Sequence, residues 1–159
     1  MINQQGSIHG TLLAVFGVGV LLTGKPSSGK SSLALSLLDR GHKLVADDLV
    51  LLDKKKSALF GYAPKAGFGF LHSRDLGMLD IAKLFSDNAI QEKTEIHLII
   101  NLDIDDSDTG ISNNINLPLI TSPPSPVMVE VAIKNYLLQK KGYNAATEFK
   151  NMLRQTDHI

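Results

Sequence analysis

Two apolar runs near the start of the chain, residues 11–15 and 18–22, are separated only by Phe16 and Gly17. Glycine can supply the positive φ that a tight turn requires, so the pattern predicts a β-hairpin. The second run continues to Thr23 without a charged residue, which is typical of a strand buried on both faces.

A helical period follows over residues 31–40. Leu33, Leu37 and Leu38 fall on one face, and Gly41 stands where a left-handed residue commonly closes a helix. The pattern predicts an amphipathic helix shortly after the first hairpin.

The middle of the chain has mainly the character of strands. Residues 42–46 and 49–52 are short apolar runs on either side of an acidic pair, and residues 57–62 can form the hairpin partner of the second run. Residues 64–78 contain three glycines and no periodicity, so we expect a loop with some extended backbone. Residues 79–85 predict a short helix.

A longer apolar run at residues 96–102 predicts a buried strand. Residues 103–116 are polar and predict a surface connection. Residues 117–120 predict an edge strand, because Pro118 has no backbone N–H to donate to a sheet.

Helical signals return near the C-terminus. Ser125 suits an N-cap, Pro126 the first helical position, and Gly142 the end of the helix. A second helix over residues 145–153 begins at Asn144. The predicted core contacts of the first of these helices are Val127, Val131, Leu137 and Leu138. We therefore expect one α/β domain over residues 1–159, with a largely antiparallel or mixed sheet and flanking helices.

Between the predicted hairpin and the first helix lies a motif for binding phosphate: a glycine, four free positions, then Gly-Lys-Ser. Its glycines let successive backbone N–H groups point into one anion-sized hollow, and the helix that follows adds its positive N-terminal end. Lys30 can reach the β- and γ-phosphates of a nucleotide, and the Ser31 hydroxyl can ligate Mg²⁺. The residues predicted to bind phosphate are Gly24, Lys25, Pro26, Ser27, Ser28, Gly29, Lys30, Ser31 and Ser32.

An acidic pair, Asp47 and Asp48, follows Lys30 by 17 and 18 residues. Adjacent strand residues point to opposite faces, so the backbone must turn there if both carboxylates face the nucleotide. One could then bind Mg²⁺ and the other could accept a proton from an attacking hydroxyl. The alternative is a solvent-facing turn, which Asp-Asp often marks.

Three further residues are ambiguous from the sequence alone. His9 precedes the first strand, and a hairpin would bring it toward the phosphate loop. Arg74 suits either an anion contact or exposed surface, and His72 either a metal ligand or polar surface.

Composition narrows the class of protein. Apolar residues make up 43% of the 159 positions, which supports a substantial core. The 16 basic and 16 acidic residues cancel, so we expect no surface for coating nucleic acids. The chain has no cysteine, which excludes disulfides and cysteine metal sites. No basic leader and no apolar run long enough for a bilayer are evident, so we expect a cytoplasmic protein without membrane contact.

Taken together, these motifs resemble the catalytic domain of bacterial HPr kinase/phosphorylase. The matching segments are residues 8–10, 17–24, 29–31 and 40–48, and residues 74–80 are similar to the family's Arg-Gly-Leu-Gly-Ile-Ile-Asp signature. The resemblance implies a P-loop-containing sheet of the HPr kinase and PEP carboxykinase type.

The resemblance also implies roles for individual residues. Lys30 and Ser31 would hold phosphate and Mg²⁺, Asp48 would be the proton-accepting carboxylate with Asp47 as its acidic neighbour and metal ligand, and His9 would fall on a catalytic histidine. Arg74 would lie in the family signature. The family uses ATP or pyrophosphate to phosphorylate a serine of HPr, can reverse the reaction, and assembles as hexamers.

Several positions depart from the family pattern. His72 stands where the family has a Mg²⁺-ligating glutamate, and Asp75 replaces the first glycine of the signature. Residues 122–126 replace a Gly-Arg-Asn segment tied to dephosphorylation, and no arginine lies between Arg74 and Arg154. The nucleotide half of the predicted site is complete, whereas the acceptor half is eroded.

The leading hypothesis is a Mg²⁺-dependent, ATP-binding serine kinase acting on HPr or an HPr-like acceptor, with kinase activity favoured over phosphorolysis. One alternative is a regulatory module that binds ATP without useful transfer. Another is a kinase whose acceptor is a small hydroxylated metabolite.

Overall fold

A computed structural model describes residues 6–26, 28–103, 119–120 and 125–156. Its strands are β1 (Ser7–Val15), β2 (Val18–Thr23), β3 (Lys43–Lys55), β4 (Ala58–Tyr62), β5 (Phe70–Ser73), β6 (Gly77–Asp80), β7 (Lys93–Asn101) and β8 (Leu119–Ile120). Its helices are α1 (Lys30–Asp39), α2 (Ile81–Leu84), α3 (Pro126–Lys140) and α4 (Ala145–Thr156), with 3₁₀ turns at Lys65–Gly67 and Asp87–Ala89. Within these ranges, no helix combines the length and apolar character needed to cross a bilayer.

The main sheet closes on itself. Its order is β2-β1-β3-β4-β7, and β7 pairs again with β2, so the five strands form a ring. The β2–β7 pairing is parallel, the other four are antiparallel, and the short β8 adds in parallel to β7. The predicted mixed, largely antiparallel sheet is confirmed.

Closure of the sheet creates two apolar cores. Leu12 and Leu21 belong to a cluster built from strand residues inside the ring. Their neighbours Leu13 and Leu22 belong to a cluster outside it, where α1 and α3 cover the sheet. Because both faces of β1 and β2 are buried, residues 12–15 of β1 and 20–22 of β2 are apolar at consecutive rather than alternate positions.

The predicted first hairpin is confirmed. Phe16 and Gly17 both have positive φ, 52° and 76°, as a two-residue turn between twisted strands requires. Gly19 permits the β2–β7 pairing, because a Cβ at this position would lie 1.8 Å from the carbonyl oxygen of Glu95. The hairpin of β3 with β4 also agrees with prediction.

The segment predicted as a loop, residues 64–78, contains more regular structure than expected. It includes the strand β5 and the start of β6, which pair as a separate two-stranded sheet. Each strand has only four residues. An alternation this short cannot be recognised in a segment that also contains three glycines. The short predicted helix is confirmed as α2, which Asp80 caps by accepting a hydrogen bond from the Lys83 N–H.

The boundaries of the C-terminal helices agree with prediction. Ser125 caps α3 by accepting from the Met128 N–H, and Asn144 accepts from the Thr147 N–H at the start of α4. Gly142 is left-handed, with φ 92°. The predicted polar connection beyond Asp103, and Pro118 in the predicted edge strand, lie outside the described residues.

The predicted core contacts of α3 are wrong for three of four residues. Val127, Val131 and Leu138 are 52%, 57% and 45% exposed, and only Leu137 packs against the core. The buried side chains are Val129, Glu130 and Ile133. Apolar residues lie on several sides of this helix, so periodicity could not select the buried face.

Glu130 explains which face of α3 is buried. Its carboxylate accepts hydrogen bonds from His42 Nε2 at 2.6 Å and from Arg40 Nε at 2.8 Å, and it also contacts Arg40 Nη2. The Arg40 hydrogen bonds, followed by that of His42, lower the pKa of Glu130 to about 2. An ion cluster thus joins α3 to the end of α1 and the start of β3.

Candidate functional site

The loop between β2 and α1 is closed by its own lysine. Lys30 Nζ donates to the carbonyl oxygens of Gly24 and, at 3.2 Å, of Lys25. The Ser28 N–H donates to the Lys25 carbonyl at 3.0 Å, tightening the turn. Gly24, with φ 142°, has no room for a side chain, since a Cβ would lie 2.6 Å from Ser28 Oγ. The ammonium therefore sits at the mouth of a tightly curled loop.

Burial lowers the pKa of Lys30, while the charges of Asp103, Asp47 and Asp48 act in the opposite direction. The partly buried ammonium is thus less well solvated than a surface lysine. An anion that enters the loop would restore favourable electrostatic interactions for it.

Asp47 is held in place on both of its oxygens. Its Oδ1 accepts from the Thr11 hydroxyl at 2.8 Å, and its Oδ2 accepts from the His72 N–H at 2.9 Å. Each carboxylate oxygen retains a lone pair for another partner. Asp47 is therefore a preoriented ligand.

The Asp48 carboxylate, in contrast, accepts no hydrogen bond from the described residues. Its φ is 69°, an uncommon value for a non-glycine residue, and this left-handed turn lets both acids line the same cleft although they are adjacent on β3. The side chain is 86% exposed, with His9 Nδ1 3.8 Å from Oδ1 and 3.2 Å from the backbone oxygen. The predicted break between two strands at the acidic pair is wrong: β3 runs unbroken from Lys43 to Lys55 and pairs through this point with β1, where only the left-handed Asp48 departs from regular strand conformation.

His72 contributes to the site through its backbone. Its carbonyl accepts from Ser31 Oγ at 2.8 Å, and its N–H donates to Asp47. These two bonds fasten the β5–β6 hairpin to the start of α1 and to β3. The imidazole projects into the cleft, where it makes no hydrogen bond among the described residues.

These elements surround a cleft of about 950 Å³. It is lined by His9, Gly10, Gly24, Pro26, Lys30, Ser31, Asp47, Asp48, Ala66, Gly67, Phe70, His72 and Met78. Hence the structure brings together seven of the residues predicted from the sequence: His9, Gly24, Pro26, Lys30, Ser31, Asp47 and Asp48.

Other predicted residues do not line the cleft. Lys25, Ser28, Gly29 and Ser32 belong to the loop and first turn of α1 but are not among its lining residues. Arg74 is exposed in the turn between β5 and β6. Ser27 lies outside the described residues.

Sequence reasoning missed Asp103 as part of the site. Its Oδ2 accepts from the Lys25 N–H at 2.8 Å, and its own N–H donates to Asn101 Oδ1 at 2.9 Å. The available signal was an aspartate directly after the buried run 96–102, but only the parallel β2–β7 pairing brings that end beside the phosphate loop. The sequence also gave no indication of the wall formed by Phe70 and Met78.

The donor set suits Mg²⁺ bound together with phosphate. No group of three or more histidine or acidic side chains in the described part of the chain could hold a metal alone. Ser31 Oγ uses its proton for His72 and keeps lone pairs, and Asp47 adds carboxylate oxygens. Mg²⁺ in phosphate-transfer sites is commonly held by one or two such ligands, substrate phosphates and waters.

The comparisons with known proteins agree with this geometry. The model of the HPr Serine kinase C-terminal domain matches residues 1–113. An HPr kinase/phosphorylase of Lactobacillus acidophilus is 35% identical over 94% of this chain and 52% of its own length, and one of Geobacillus thermodenitrificans is 39% identical over 92% and 53%. The chain thus spans about half the length of these curated relatives.

A solved structure is also similar. The HPr(Ser) kinase/phosphatase from Coxiella burnetii superposes with a TM-score of 0.74 at 31% identity, covering 85% of this chain and 98% of that one. On the family match and this shared fold, the chain belongs to the HPr serine kinase C-terminal domain family.

Proposed function

We propose that this protein transfers the γ-phosphate of ATP to a serine hydroxyl of HPr or an HPr-like protein, with Mg²⁺. One observation carries the proposal: a single cleft holds a lysine-closed phosphate loop, a preoriented aspartate and a free aspartate. Phosphoryl transfer needs positioning, charge stabilisation and a proton acceptor, and this cleft supplies a residue for each.

Donor binding is assigned to the loop and the start of α1. Lys30 and the backbone N–H groups at the start of α1, from Gly29 to Ser32, receive the phosphates, and Ser31 with Asp47 would hold Mg²⁺. Mg²⁺ held there would neutralise charge on the phosphate oxygens. Arg74 stays a predicted anion contact, since its side chain does not line the cleft among the described residues.

Asp48 is assigned as the acceptor of the serine hydroxyl proton. As the serine oxygen bonds to the γ-phosphorus, the bond from that phosphorus to the β–γ bridging oxygen breaks, and ADP leaves with the electron pair. The serine proton passes to a carboxylate oxygen of Asp48, whose exposed side chain has no rigid partner. His9, whose Nδ1 lies 3.8 Å from that carboxylate, stays a predicted catalytic residue.

A second candidate function, ATP binding without useful transfer, is favoured by one observation. Residue 72 is a histidine, so this position supplies no carboxylate to the metal. It contacts Ser31 and Asp47 only through its backbone. A neutral imidazole is a poor ligand for a cation that prefers oxygen. ATP affinity with no turnover on any acceptor would establish this function instead.

The test follows labelled phosphate from ATP to purified HPr. We expect transfer by the wild type and a loss of roughly 100- to 10,000-fold for Asp48→Asn, because the amide cannot accept the proton. Asp53→Asn is the control: Asp53 lies on the same strand but pairs with Lys93, away from the cleft. Equal rates for wild type and Asp48→Asn would remove Asp48 from the mechanism.

Two expectations accompany this proposal and remain predictions. They are a single domain over residues 1–159 and a hexameric assembly. Light scattering of the purified chain measures the assembly directly. Pyrophosphate as an alternative donor is tested by replacing ATP in the transfer assay.

A further inference from the structure

One wall of the cleft is apolar although it faces solvent. Phe70 and Met78 line the cleft and are 41% and 65% exposed. Covering such side chains with a ligand is favourable, because apolar surface is removed from water. Their position in the phosphate-binding cleft points to a ligand with an apolar part.

The register of the β5–β6 hairpin explains why these residues face the cleft. His72 pairs with Met78, so both lie on one face, which also carries Phe70 two residues before His72. Leu71 and Ser73, on the opposite face, are buried. The alternation shows that Phe70 and Met78 lie on the exposed face of the hairpin, opposite the face that packs on the core.

The attachments of the hairpin place this wall on the donor side of the site. His72 is hydrogen bonded to Ser31 and Asp47, the two residues assigned to the metal and phosphates. Asp48, assigned to the acceptor hydroxyl, is accompanied by His9 from β1 instead. The wall is thus attached to residues assigned to the donor and not to those assigned to the acceptor hydroxyl.

We propose that the ring of Phe70, flanked by Met78, stacks against the nucleobase of a bound nucleoside triphosphate. This inference rests on the proposed function and names the part of the donor that the phosphate loop does not recognise. The cleft volume, about 950 Å³, is sufficient for a whole nucleotide. Stacking uses the π-face that every base possesses, so ATP and GTP bind this wall similarly.

The test compares Mg·ATP with Mg·tripolyphosphate, which carries the phosphates without a base, by calorimetric titration. Phe70→Ala is expected to weaken ATP roughly 5- to 150-fold, the usual effect of losing one base–aromatic stack, and to leave tripolyphosphate unchanged. Leu76→Ala is the matched control, because Leu76 is 68% exposed on the same hairpin but does not line the cleft. We expect this variant to behave as wild type with both ligands.

Other results overturn the inference. Equal weakening of both ligands by Phe70→Ala would indicate general damage to the cleft, and unchanged ATP affinity would exclude stacking. Unchanged ATP affinity with a raised KM for HPr would assign the wall to the acceptor protein. Failure of the proposed function has a different signature: wild-type protein would then bind Mg·ATP without transferring phosphate to HPr, or would bind neither ATP nor tripolyphosphate.

A fluorescent variant gives an independent measurement. The chain contains no tryptophan, so Phe70→Trp places a single indole at the proposed stacking position. We expect ATP and GTP to quench its emission and tripolyphosphate to leave it unchanged. Leu76→Trp should respond to none of the three ligands, and an equal response of both variants to ATP would contradict stacking at Phe70.

Discussion

The closed sheet and the C-terminal helices differ in how many of their residues are buried. Every residue of β2 is buried, and β1 has one exposed residue, His9. In α3 only Val129, Glu130 and Ile133 are buried, and residues 145–155 of α4 are all exposed. The phosphate loop is thus fixed between elements packed on two sides, whereas the helical pair is attached through a small contact.

The residues that form the cleft are therefore distinct from those that attach the C-terminal helices to the sheet. The cleft takes its lining from the strands, the phosphate loop, the start of α1, the 3₁₀ turn at Lys65–Gly67 and the β5–β6 hairpin, and no described residue of α3 or α4 contributes. Substitutions in the sheet should therefore affect binding or folding strongly, and substitutions on the exposed helix faces weakly.

The largest effect is expected at Lys30. Lys30→Ala removes the ammonium that closes the loop and meets the phosphates, so ATP affinity should fall roughly 100-fold or more, as charge-assisted hydrogen bonds are lost. Calorimetric titration measures the change. Lys54→Ala, in the exposed β3–β4 hairpin, controls for the loss of one positive charge. Unchanged affinity in Lys30→Ala would contradict the assigned role.

The next largest effect is expected at Gly19, where β2 pairs with β7 and closes the sheet. Gly19→Ala places a methyl group 1.8 Å from the Glu95 carbonyl oxygen, so β2 and β7 must separate. We expect the free energy of unfolding to fall by about 3 kcal/mol or more, at or above the usual range for overpacking. Urea denaturation measures it.

Gly17→Ala provides the matched control in the same hairpin. No atom lies within 4 Å of a Cβ there, and only the positive φ of 76° opposes the substitution. The expected cost is about 1–2 kcal/mol. Equal losses at Gly17 and Gly19 would show that backbone conformation, not strand contact, dominates both positions.

The attachment of α3 should depend on pH through Glu130. Its pKa is about 2 in the folded protein against 4.5 without its partners, chiefly because Arg40 and then His42 donate hydrogen bonds to it. A lowered folded-state pKa stabilises the protein above pH 4.5, and this contribution is lost as pH falls from 4.5 toward about 2.

Thermal unfolding of wild type and Glu130→Gln across this pH range tests the expectation. The wild type should have the higher Tm at neutral pH, and the difference between the two proteins should shrink toward pH 2. A difference that stays constant with pH would mean that the ionised carboxylate does not hold α3.

The smallest effect is expected on the outer face of α3. Val131 is 57% exposed, so Val131→Ser should change the free energy of unfolding by no more than about 0.5 kcal/mol. The same urea denaturation serves for this variant. A large loss would show that a second element covers this face in solution.

Much of the sheet region could be predicted from the sequence. The apolar runs, the turn at Phe16 and Gly17, the phosphate loop and the acidic pair are local patterns, and each has a direct stereochemical reason. The helix caps at Ser125 and Asn144 were predictable for the same reason. The β5–β6 hairpin was not, because four-residue strands carry too little periodicity.

Local sequence is enough to locate the anion-binding loop and the starts of strands and helices, since those features depend on neighbours within a few positions. The contact of Asp103 with Lys25, the contacts of the His72 backbone with Ser31 and Asp47, and the buried face of α3 follow from the folded chain alone. These contacts join residues at least 25 positions apart or depend on an ion pair with Arg40, and no local pattern encodes such distances.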